Sequence, residues 1–211
     1  MRGFRSSVGV AAAAVLALAG CTSTGGGPAA APPSAPLPAP TADRLPPVAP
    51  AAVGEARRIT RPGLAERMGD RLGELVPFPA RLGEPVAAAY DINRPFYVAA
   101  VGIARPAPED PAARADLALQ AAVGASSAGS RPRLAGVRTV GAAGGGAVVV
   151  RCAALVLQGS SGPWEMPACG WADDRSTGVV LDGRTVSPRT PADLDAAAEL
   201  VARVRAALAA P

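Results

Sequence analysis

The chain has 211 residues with 49% apolar side chains, 24 glycines and 23 prolines, and its 21 basic residues are all arginine. No histidine is present, and the formal net charge of +4 is spread along the chain. Lack of histidine removes the Ser-His-Asp and Cys-His arrangements, and lack of lysine removes Ser-Lys dyads and Schiff bases. Without a basic cluster or an interleaved aromatic stripe, the composition predicts no nucleic-acid partner.

Residues 1–20 read as a secretory leader: Arg2 and Arg5, an apolar core from Val8 to Leu18, then small residues. As a helix, that core would rise about 16 Å, roughly half the hydrocarbon thickness of a bilayer, so it is too short for a settled span. Leu18-Ala19-Gly20-Cys21 follows. These four residues resemble a bacterial lipobox, which implies cleavage before Cys21 and lipidation of its thiol. Two or three acyl chains anchor a protein stably where one binds marginally. The expected address is the outer face of the cell membrane, with membrane lipid as the partner of Cys21. Losing Arg2 and Arg5 leaves 19 arginines against 17 acidic residues, so the mature chain is close to neutral.

Residues 21–53 are Gly-rich, then Pro- and Ala-rich, from Gly25-Gly26-Gly27 to Pro46-Pro47 and Pro50. With few large apolar side chains to offset chain entropy, this stretch is predicted to be a disordered tether. In polyproline II geometry its Pro-rich part would reach on the order of 75 Å. A spacer is the favoured reading over a Pro-rich ligand for a recognition module.

Residues 54–211 are expected to form the extracytoplasmic domain. Leu64, Met68, Leu72 and Leu75 share one face of a helix over 64–75, which Gly69 and Gly73 weaken. Val86–Asp91 and Pro95–Ile103 read as a hairpin around Asn93. A helix over Pro108–Val123 opens on the acidic Glu109 and Asp110 and stops at Gly124. Strands follow at Ala135–Gly141, Ala147–Leu157, Glu165–Ala172 and Thr177–Asp182. The last helix has Thr190 as N-cap and Pro191 at its first position, with Leu194, Ala197, Val201, Val204 and Leu208 as its apolar stripe. Strand pairs with interspersed helices predict an α+β domain, an antiparallel sheet with helices packed on one face.

With Cys21 committed to lipid, Cys152 and Cys169 remain as an even pair in an exported domain, which predicts a disulfide. A metal site or a redox pair is the weaker reading, because the chain has no Cys-x-x-Cys and two thiolates do not complete a tetrahedral site. Cys169 and Trp171 lie two apart on one strand and so face the same side, which places the indole over the disulfide.

Cys152, then Cys169-Gly170-Trp171-Ala172-Asp173 and Thr177-Gly178-Val179-Val180, resemble the outer domain of a group of exported lipoproteins and membrane-anchored proteins of high-GC Gram-positive bacteria. The resemblance spans roughly 75–180. The group carries a histidine directly after the Asp, where this chain has Asp174, so no role is carried over to that position. Fold and address are what the resemblance implies; no activity comes with it.

For chemistry, Asp173-Asp174 is the one adjacent carboxylate pair in a site-like turn, and such pairs beside an arginine are more often turn formers than catalysts. Gly144-Gly145-Gly146 lacks the Lys-Ser/Thr and helix start of a phosphate cradle. Ser126-Ser127 and Ser160-Ser161 fall in predicted loops and carry no signal. Tyr90, Phe96 and Tyr97 read as core or half-buried strand residues, an exposed pair of which could meet a glycan or peptide. No catalytic, cofactor or metal residue is assigned. The expectation is a non-enzymatic binding, sensing or structural lipoprotein whose partner is an envelope protein or a wall component. The alternative is a wall-acting enzyme using carboxylates, which requires an exposed cleft lined by Asp173, Asp174 and a further acid.

Overall fold

Along β7 (Gly162–Ala172), alternate residues face two differently covered sides of one sheet. Met166, Ala168 and Gly170 point to one side and Cys169 and Trp171 to the other, as the two-residue period of a strand dictates. Both sides are dry, which is why the strand reads as a near-continuous apolar run. In the computed structural model the described residues are 49–76, 84–103, 110–126, 131–141, 148–160, 162–186 and 191–210. The expected leader, Cys21 and most of the expected tether lie outside them, as do Thr190 and the Gly144–Gly146 run.

Two meanders make the sheet. The first consists of β1 (Ala52–Val53), β2 (Ala56–Ile59), β3 (Val86–Asp91) and β4 (Pro95–Gly102). The second consists of β5 (Arg133–Val140), β6 (Val149–Gly159), β7 and β8 (Ser176–Asp182). They join along β4 and β8, from Phe96 opposite Asp182 to Gly102 opposite Ser176. The order is β1-β2-β3-β4-β8-β7-β6-β5, antiparallel throughout. The α+β class with an antiparallel sheet is therefore as expected. β1 lies inside the stretch assigned to the tether, and neither it nor β2 was expected: two residues and an Arg57-Arg58 pair give no alternation to read.

Helices α1 (Leu64–Leu75) and α2 (Pro111–Ala125) cover one side, where Met68, Leu72, Ala118 and Leu119 meet Leu155, Met166, Val179 and Leu181. Helix α3 (Leu194–Ala209) covers the opposite side, where Leu200, Val201 and Val204 meet Val98, Val150, Cys152 and Val180. The expectation of one helical face is thus corrected to two. Periodicity identifies the buried stripe of a helix but not the side of the sheet it buries against.

Local chemistry fixes the helix ends. Asp110 caps α2, accepting hydrogen bonds from the N–H groups of Ala112 and Ala113 at 3.0 and 3.3 Å, with Pro111 at the first position. The helix runs through Gly124 rather than stopping there; a Cβ at 124 would lie 2.5 Å from the Arg71 Nε of α1. In α3 the cap is Asp193, accepting from Ala196 N–H at 3.0 Å, so the helix starts later than Thr190 and Pro191 predicted. Gly69, expected only to weaken α1, is where that helix meets β3: a Cβ there would lie 2.7 Å from the Cβ of Ala87. Among the described residues no helix is long and apolar enough to cross a membrane.

Candidate functional site

Cys152 and Cys169 are direct register partners across β6 and β7, with Cα atoms 4.1 Å apart and a disulfide between them. Both are fully buried on the α3 side. The next residue, Gly170, faces α2, and a Cβ there would overlap the carbonyl of Ala115 and lie 2.8 Å from the Leu119 nitrogen. Only the missing side chain lets the helix backbone approach the strand this closely. Trp171 is fully buried and opposes Gly178 on β8, where a Cβ would overlap the six-membered ring. The indole therefore leans over Gly178, on the β8 side of β7 and away from Cys152, rather than over the disulfide.

The β7–β8 turn closes on Asp173. Its Oδ1 accepts from the N–H groups of Arg175 and Ser176 at 2.7 and 2.6 Å, and its N–H donates to the Ser176 carbonyl at 2.9 Å. Ser176 Oγ, 3.2 Å from both carboxylate oxygens, also accepts from Trp171 Nε1 at 3.2 Å. From α3, Arg205 brings Nε and Nη2 to Oδ2 at 3.1 and 2.5 Å. From α2, the buried Arg114 donates to the Asp173 carbonyl at 2.7 Å and to Thr177 Oγ1 at 3.2 Å. One hairpin turn is thus held by arginines from helices on opposite sides of the sheet. Burial pushes the Asp173 carboxyl up, but the hydrogen bonds from Arg175, Arg205 and Ser176 outweigh it and hold it below the ordinary aspartate range. Asp174 is exposed beside it. Every interacting atom of the Asp173 side chain points into this turn and α3, an arrangement that closes a hairpin.

At the other end of β7 the surface opens into a cavity of about 510 Å³, within the range of small-molecule sites. Its floor is Tyr97 of β4, Leu157 and Gln158 of β6, and Trp164 and Met166 of β7. Leu64 and Arg67 of α1, Ala125 and Ser126 at the end of α2, and Gly183 and Val186 after β8 form its walls. Asp173 follows Trp164 by nine positions along and just past β7, about 30 Å at 3.3 Å per residue. The carboxylate pair and the cavity are therefore separate places.

Of the first-hairpin aromatics, Tyr90 and Phe96 are core: they oppose each other with ring centroids 5.3 Å apart. Tyr90 donates to the Pro50 carbonyl at 3.0 Å, and burial, opposed by Arg58, leaves its phenol pushed up to about 12. Tyr97, one residue on, faces the other side and reaches the cavity. Arg67, Gln158 and Trp164 carried no expectation; elements far apart in sequence bring them together, and no spacing could have shown it. Among the described residues no group of three or more His, Cys, Asp or Glu side chains is arranged to hold a metal. No protein-family model matches the chain, and no curated protein or solved structure matches it significantly.

Proposed function

We propose that this chain is a lipid-anchored envelope protein that displays a non-enzymatic, ligand-binding α+β domain on the outer face of the membrane. The cavity over Tyr97 and Trp164 carries the binding part of that reading: a concave, mostly apolar site with a few polar groups at its edge is what small-molecule capture requires. The address rests on Leu18-Ala19-Gly20-Cys21, and the Cys152–Cys169 disulfide is in keeping with an oxidising compartment. A wall-acting enzyme has less support, because Asp173 is committed to the β7–β8 turn and to Arg205 instead of lining a cleft.

Mass spectrometry of small molecules released from the full chain, purified from membranes, tests this. A species carried by the wild type should be lost from a Val186→Trp variant, in which the larger side chain fills the cavity. Equal recovery from both proteins, or no bound species in either, would contradict the proposal.

A further inference from the structure

Resting on that reading, we propose that the cavity takes an apolar monoanion, an acyl or aryl carboxylate whose head pairs with Arg67 and whose body lies on Trp164 and Tyr97. Three observations carry it. The floor is aromatic and aliphatic: half-buried Trp164 and Tyr97 expose apolar area that a hydrocarbon or ring would cover, and the buried Leu157 and Met166 complete it. Among the described residues Arg67 is the sole charged side chain lining the cavity. It also stands uncommitted: among the described residues its guanidinium has no ion pair or hydrogen bond, while neighbouring arginines do, Arg71 with Glu74 on the same helix and Arg184 with Asp182 beyond β8.

Charge sets the class of ligand further. One guanidinium offers a planar fork that matches one carboxylate and balances one negative charge. A doubly charged phosphate monoester would bring a second charge that no described lining side chain meets. Gln158, exposed at the edge, adds an uncharged amide that can donate to the same head group. Among the described residues the cavity wall supplies no carboxylate to repel an anion; nearby, Asp182 faces Arg184 and Glu165 accepts from the Ala192 N–H.

The test is titration calorimetry of the full chain with decanoate and with 1-decanol, two probes of one chain length that differ in charge, on the wild type and on Arg67→Gln and Val186→Trp. Decanoate should bind about tenfold more tightly than decanol, as expected for one charge-assisted pair. Arg67→Gln should erase that difference and leave decanol affinity unchanged, and Val186→Trp should remove both. Equal affinities of the two probes that Arg67→Gln does not change, with both lost in Val186→Trp, would overturn the anion assignment and leave the cavity as a binding site. No binding of either probe, or binding that survives Val186→Trp, would overturn the cavity reading itself.

Discussion

The indole of Trp171 rests on Gly178, its register partner on the neighbouring strand, where no side chain larger than hydrogen fits. This pair, with the disulfide at Cys169 two positions behind Trp171 and Asp173 two positions ahead, makes the Cys-Gly-Trp-Ala-Asp segment a fastening for both helical layers.

Gly178→Ala alone should destabilise the domain by about 3 kcal/mol, the upper part of the range for overpacking a full core. Trp171→Leu alone should cost a comparable amount through the cavity it leaves. Combined, the two changes should cost clearly less than their sum, because the methyl at 178 then occupies space the indole has vacated. Urea unfolding of the four proteins checks this; additive costs would show that ring and glycine are not in contact.

Cys152 and Cys169 are 17 residues apart in sequence, and opening that loop should lower stability by about 3 kcal/mol in the chain-entropy model. Mass spectrometry of the non-reduced protein should recover the two cysteine peptides linked. Unfolding with and without reductant measures the cost, and free thiols at both positions would refute the bridge.

Acid should weaken the turn. A carboxyl held below its ordinary value stabilises the fold fully above the ordinary aspartate pKa of about 3.9. That contribution fades as the pH falls from there through the lower folded value, and below it vanishes. Asp173→Asn should therefore cost about 3 kcal/mol at neutral pH, since Arg205 is left partly buried without its partner, and the cost should shrink below pH 4. Thermal melts from pH 2 to 7 provide the measurement. A cost independent of pH would mean that the charge of Asp173 contributes nothing.

Replacing Cys21 by Ala should move the chain out of the membrane fraction, since the proposed anchor is the acyl group and the described helices include none able to span a bilayer. Unchanged fractionation would count against lipidation.

Much of the fold could be read from local chemistry. The apolar stripe of α1, the apolar strand runs from Val86 onward and the acidic opening of α2 at Asp110 all act within a few residues, and a sequence displays such patterns directly. Gly69 was visible as a helix-weakening residue, yet its purpose, contact with Ala87, depends on a strand almost twenty residues away. Cap competition misplaced the start of α3: Thr190 and Asp193 are both good caps, and Asp193 holds the position. The cavity was the least legible part. Arg67, Tyr97, Gln158 and Trp164 sit on four different elements, and only the sheet order places those ends together.

The two tryptophans provide the most direct measurement, because one lies on the cavity floor and the other fastens the β7–β8 hairpin. In a ¹⁵N-resolved NMR titration of the full chain with decanoate, the indole N–H signal of Trp164 should shift progressively while that of Trp171 stays fixed. Movement of the Trp171 signal with Trp164 unmoved would place binding at the hairpin turn and contradict the account.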